Sequence, residues 1–172
     1  KYIHVAMVTA VLILSLATLS FVVGTGESYT FMMGHFPAPW GNEIRIGELE
    51  ALMAVFFSLI MMLSVFGGMA HIDREVQDSK KNLFYILLDL LMASLLALIY
   101  TNDLFTAYVF IEINTIAACG LIMIKKQGRT YVSALRYMIM SLVGSGLFLI
   151  GLTLLYSITG HLLMSPAKEV LE

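Results

Sequence analysis

The chain has 172 residues, 59% of them hydrophobic and 13% charged, with a net charge of −2. Soluble domains are nearer roughly 45–50% apolar and about 25% charged, so a soluble globular domain is excluded, and no basic excess marks a nucleic-acid partner. The length leaves room for a single domain.

The first apolar run, Val5–Gly26, carries no charge over 22 residues. That is longer than the core of a signal peptide, so it reads as an anchor helix over about 3–23. Residues 24–50 read as a long loop. Its Phe36-Pro37-Ala38-Pro39-Trp40-Gly41 stretch forbids a helix, and Tyr29, Phe31, Phe36 and Trp40 suit the headgroup zone. A second helix is expected over 51–71, with Glu48 and Glu50 at its start, where carboxylates complement the helix dipole. A short charged segment follows. A third helix over 82–101 is interrupted by Asp89. Only Thr101-Asn102-Asp103 separates it from the fourth, over 104–124, for which Asp103 is placed as N-cap. The fourth helix contains Glu112. After Lys125-Lys126-Gln127-Gly128-Arg129, the fifth runs over 131–159 with Arg136 in its first turns, and the tail beyond Gly160 reads as interfacial.

Each stretch approaches the ~20 residues a membrane-spanning helix needs. None alternates with period two, which rules out a β-barrel, and lipid leaves helices as the remaining solution. The expected fold is all-α: a polytopic membrane domain over 1–172 with about five transmembrane helices. With the N-terminus in the cytoplasm, eight basic residues (Lys1, Arg74, Lys80, Lys81, Lys125, Lys126, Arg129, Arg136) lie at or near the inner face, against Arg45 and Lys168 outside. This follows the positive-inside rule and predicts a multi-pass protein of the plasma or inner membrane.

One cysteine, Cys119, cannot build a disulfide framework, and the histidines at 4, 35, 71 and 161 lack metal-ligand spacing. No phosphate loop, dinucleotide fingerprint or nucleophile elbow is present. No cofactor is expected, and no catalysis by the isolated chain.

Intramembrane charges are the informative residues, because each costs roughly 2.5–3.5 kcal/mol at a helix centre on insertion scales. Glu112 lies about two residues from the middle of its helix, roughly 3 Å from the midplane at ~1.5 Å per residue. Tyr108 and Thr115, at i−4 and i+3, share its face. Together they read as part of a proton or ion path, with a structural glutamate binding a neighbouring helix as the alternative. Asp89 shares a face with Tyr85, Ala93 and Ala97, and reads either as a further member of the proton or ion path or as a carboxylate paired for assembly. Its depth roughly matches that of Arg136, which motivates an Asp89–Arg136 pair that extends the path, whereas Arg136 alone would snorkel to the inner face. His71 stands at the inner mouth of the second helix, where it passes protons or simply lies at the interface. Asn114 reads as helix–helix glue. Ser141, Gly144, Ser145, Gly146 and Gly151 invite close packing of another helix.

The run Thr101-Asn102-Asp103-Leu104-Phe105-Thr106-Ala107-Tyr108-Val109-Phe110-Ile111-Glu112 resembles a signature segment of the antiporter-like subunits of respiratory complex I, Mrp-type cation/proton antiporters and membrane-bound hydrogenases. Ala134-Leu135-Arg136-Tyr137, Leu147–Gly151, Leu154-Leu155-Tyr156 and Thr159-Gly160 are similar to the family's next helix, and Phe36–Gly41 to its proline loop. The resemblance implies that the five helices match helices two to six of a unit of about fourteen. It places Glu112 on the family's key glutamate, whose partner is a lysine on a broken seventh helix. The chain ends before such a helix, Arg136 replaces a family lysine, and Asp89 is an added charge. The expectation is a fragment of a larger subunit, or a reduced one, in a redox-driven or Mrp-like complex. It would contribute to proton or sodium translocation with other membrane subunits as partners, Asp103 lining the outer entrance. The alternative is a structural subunit that joins its neighbours without transport of its own.

Overall fold

The computed structural model describes residues 2–36, 41–125 and 128–172. Pro37, Pro39 and Trp40 of the proline loop, and Lys1 and Lys126 of the basic count, lie outside them. Five long helices are present, each apolar enough to cross a membrane: α1 (Tyr2–Thr25), α2 (Glu48–Glu75), α3 (Asp78–Tyr100), α4 (Leu104–Met123) and α5 (Gly128–Thr159). Their ends reach polar residues such as Glu48, Glu75 and Asp78, because backbone hydrogen bonding continues past the apolar window into the interface. A short helix, α6 (Met164–Leu171), follows in the tail.

The helices pack in chain order: α1 on α2, α2 on α3, α3 on α4 and α4 on α5. The inward face of α1 recurs with helical spacing at His4, Val8, Ser15 and Val22. That of α2 carries Ala51, Ala54, Ser58 and Val65. The first three are fully buried, and their small side chains let the two backbones approach, as membrane helix pairs require. The buried hydroxyls of Ser15 and Ser58 donate to the carbonyls of Val11 and Val55 in their own helices, so neither is orphaned. Ala54→Leu is expected to cost about 1–3 kcal/mol by overpacking this seam and to lower the thermal midpoint of the purified protein. An unchanged midpoint would mean that the seam is not tightly packed.

Gly26 and Gly160, just past α1 and α5, adopt left-handed backbone with φ of 67° and 70°. Their N–H groups return to the carbonyls of Val22 and Tyr156 at 2.9 and 2.8 Å, a stop that favours glycine. At Gly120 of α4, an added Cβ would meet Leu87 Cδ1 at 2.9 Å, so this glycine sets the close approach of α3 to α4.

The long connection after α1, expected as a loop, holds a hairpin. Strands β1 (Tyr29–Met32) and β2 (Glu43–Ile46) pair antiparallel, with Tyr29 opposite Ile46 and Met32 opposite Glu43. β2 continues into a clasp on the short α3–α4 link. Asn102 N–H donates to Glu43 O at 2.9 Å and its side-chain amide donates to Glu43 Oε1 at 2.8 Å. From the other side, Leu104 N–H donates to Leu162 O and Met164 N–H to Asn102 O, both at 2.9 Å. Thr101 and Asn102 are therefore buried between hairpin and tail. We call this the hairpin end of the bundle. The opposite end, the lysine end, has Glu75 bonded to both Lys125 and His71, and Lys80 Nζ donating to Ile124 O at 3.1 Å, where a cation suits the C-terminus of α4.

Candidate functional site

The faces of α3 divide the bundle into two polar neighbourhoods. At 100° per residue, Tyr85, Asp89, Met92 and Leu96 share one face of α3, while Lys80, Leu83, Leu87 and Ser94 share the opposite one. The second set faces α4, where Asn114 Nδ2 donates to Ser94 Oγ at 3.3 Å. Asn114 is thus the interhelical tie that its position suggests.

Glu112 belongs to this α4 side. It borders a groove of about 760 Å³ between α3, α4 and α5, lined also by Thr115, Leu87, Met138 and Leu142, with Lys80 among the residues toward the lysine end. Glu112 Oε1 is buried and has no hydrogen-bond partner among the described residues. Thr115, which shares its face, donates its hydroxyl to Ile111 O at 3.0 Å and also borders the groove. Tyr108, one turn toward the hairpin end, is not among the groove's lining residues. Its ring stacks on Phe148 of α5 with centroids 6.5 Å apart and planes 14° apart. The groove otherwise presents mainly apolar side chains, so an unpartnered carboxylate oxygen is its exceptional feature. A buried polar atom left unpaired is costly.

Asp89 lies on the other face of α3. It does not pair with Arg136. The carboxylate Oδ1 accepts from Nδ1 of His4, 2.6 Å away on α1. Depth alone suggested the Arg136 pair, but α5 packs on α4 and Asp89 faces away from both. Arg136 is exposed and has no ion pair among the described residues. His4 is only 3% exposed, and its ring lies against that of Tyr85 with centroids 4.9 Å apart. His4 Nε2 and the Tyr85 hydroxyl are both buried without a hydrogen-bond partner among the described residues. His4 escaped sequence reasoning because a histidine two residues into the first helix reads as interfacial. Only the packing of α1 beside α3 places it on Asp89.

The remaining candidates take local roles. His71 is 73% exposed and contacts Glu75 at 2.8 Å, an i,i+4 pair at the helix surface. Asp103 caps α4, its Oδ1 accepting from Thr106 N–H at 2.6 Å. It also borders a hollow of about 260 Å³ with His161, Leu163 and Pro166 at the hairpin end. Asp103→Ala is expected to cost about 1 kcal/mol through loss of the cap, read as a lower melting temperature; Asp103→Asn should retain most of the stability. Among the small residues of α5, Ser145 is buried, but a Cβ added at Gly144, Gly146 or Gly151 would find open space within 4 Å, so no described helix closes on them.

Residues 101–170, which include the Asp103–Glu112 signature, match the family model described as NADH:quinone oxidoreductase/Mrp antiporter, transmembrane. Over 169 residues the chain is 34% identical to NADH-quinone oxidoreductase subunit N of Desulforudis audaxviator (strain MP104C), covering 96% of this chain and 33% of that one. The chain belongs to the antiporter-like membrane subunit family. It is also 28% identical over 136 residues to an Na(+)/H(+) antiporter subunit of Bacillus subtilis (strain 168), covering 79% of this chain and 27% of that one. In the solved membrane-bound sulfane sulfur reductase, an archaeal respiratory membrane complex, a chain superposes with a TM-score of 0.85 at 25% identity, covering 95% of this chain and 33% of its own length. The sequence thus spans about a third of these relatives. It is a multi-pass membrane protein with the antiporter-like helical fold.

Proposed function

We propose that this chain contributes to proton or sodium translocation in a multi-subunit membrane complex, with Glu112 as the group that takes up and gives up charge. The observation that carries the reading is the buried, unpartnered Oε1 of Glu112 in the groove between α3, α4 and α5. A carboxylate oxygen with no fixed partner is free to meet a proton or another cation that enters the groove. The family pattern names a cationic partner: a lysine on a later helix, borne by a longer subunit or by a partner chain. Thr115 lies beside Glu112 in the groove, and Asp103 stands near the hairpin-end entrance. The excess of basic residues toward the lysine end supports a cytoplasmic N-terminus and lysine end in a plasma or inner membrane.

Ion translocation by the assembled complex carrying Glu112→Gln tests the reading. An unchanged rate would sink it and leave the chain a structural role between neighbouring subunits. The clasp of hairpin, α3–α4 link and tail is the feature that such a role would use.

A further inference from the structure

We propose that His4, Asp89 and Tyr85 form a second proton-binding site, in which one proton is taken up and released at Nε2 of His4. The site lies on the α1-facing side of α3, with that helix between it and the Glu112 groove, and outside the stretch matched by the family model. It does not rest on the Glu112 reading.

The bond between His4 Nδ1 and Asp89 Oδ1, at 2.6 Å, has the short length of a charge-assisted contact. Asp89 lies roughly 16 Å along α3 from Asp78 at ~1.5 Å per residue, too deep for a short side chain to reach the interface. An accepting carboxylate holds the hydrogen of the neutral imidazole on Nδ1 and leaves Nε2 with a free lone pair. Proton uptake therefore places H⁺ on Nε2 and takes the pair from net negative to net neutral. Release returns the proton from the same atom, and no other bond changes. Nε2 is the ring atom that is buried without a partner among the described residues, and the second such atom beside it is the Tyr85 hydroxyl. Two unpaired polar groups on residues 3% and 6% exposed mark a place where a proton carrier, such as water, is received.

The surroundings set the direction of access. Val8, Val65 and Met92 form a buried apolar cluster joined by Val5, Leu88, Met61 and Met69, which seals the α1–α2–α3 seam beside the site. α2 presents only apolar residues to this cluster. Of its titratable groups, Glu48 and Glu50 stand in its first turn at the hairpin end, away from His4. His71, Asp73, Arg74 and Glu75 gather at the lysine end, where His71 and Glu75 hold each other and Lys81 holds Asp73 and Asp78. On α1 the other titratable group is the exposed Tyr2, and on α4 Glu112 borders the groove beyond α3. Protons thus reach His4 from the lysine end, past Asp89, which is 26% exposed. They do not continue to Glu112 along this seam. The site reports the proton concentration of one compartment.

The test uses the complete subunit in its native complex, labelled with ¹⁵N-histidine and reconstituted in lipid. His4 is identified as the signal lost in His4→Gln. A pH series should show Nδ1 protonated throughout and Nε2 gaining one proton. Asp89→Asn should lower the proton affinity of His4 at least about tenfold, because the counter-charge is gone. Glu112→Gln should leave the His4 titration in place even where transport stops, so the two readings fail separately. A His4 fixed in one protonation state between about pH 5 and 9 would overturn the proposal. So would equal affinity in Asp89→Asn. If that variant does not assemble, the wild-type spectrum decides: a neutral ring with its hydrogen on Nε2 and Nδ1 bare is incompatible with the site.

Discussion

Glu112→Gln should lower ion translocation by the assembled complex on the order of a hundredfold, the lower range for loss of a positioned proton-transferring group. Glutamine nearly matches glutamate in shape, so the groove between α3, α4 and α5 keeps its walls. It cannot take up or lose a proton, and a cation brought near it finds no charge. Stability should not fall, because Oε1 has no hydrogen-bond partner to lose among the described residues. An amide in its place removes a buried group that could otherwise be charged. This separates a transport defect from a folding defect: the variant complex should melt no lower than the parent while its transport collapses. Glu112→Asp keeps the charge but draws it back toward α4 by about one C–C bond, ~1.5 Å, and should retain part of the rate. Rates of parent, Gln and Asp variants in proteoliposomes, beside their melting curves, give the measurement. Equal transport in all three would remove Glu112 from any ion path.

His4→Leu should destabilise the protein by about 3 kcal/mol, the low end of the range for removing one partner of a buried pair. The low end applies because the Asp89 side chain is not fully buried, with 26% of it exposed. The cost is not the worth of the bond alone. It is mainly that of a carboxylate left beside the apolar Val8–Val65–Met92 cluster without its imidazole. The double variant His4→Leu/Asp89→Leu should therefore recover most of the loss, since two apolar side chains of similar volume suit that seam. Melting temperatures of the parent, both singles and the double form a cycle that isolates the pair. A double variant as unstable as His4→Leu would show that the pair does not carry the effect.

These two sites differ in how far they could be read from sequence. Glu112 was legible because its evidence is local. A carboxylate near the middle of an apolar run, with Tyr108 and Thr115 at helical spacing, announces a polar face whatever the helix packs against. Asp103 was legible for the same reason: an N-cap depends on the next three residues, and Thr106 is where it should be. Asp89 was legible as an anomaly but its partner was not. Depth along the chain suggested Arg136, whereas the face of α3 that carries Asp89 looks toward α1 and away from α5. The rotation of one helix against its neighbours is set by which faces pack, and no single helix contains that information.

The hairpin shows the same boundary. Tyr29–Met32 and Glu43–Ile46 are four residues each, too short for periodicity to declare. Their pairing depends on the ends of α1 and α2 being held close. The Asn102–Glu43 bond likewise joins residues that become neighbours only once α3 and α4 stand antiparallel. The sequence by itself determined the solvent of this protein, the five crossings and the helix that carries each charge, because lipid demands long apolar helices and makes every charge within them conspicuous. Only the tertiary structure decided which charges meet. It joined His4 to Asp89, left Arg136 outside that pair and gave Glu112 Oε1 no hydrogen-bond partner among the described residues, because side-chain contacts across a bundle follow from helix rotation and packing distance.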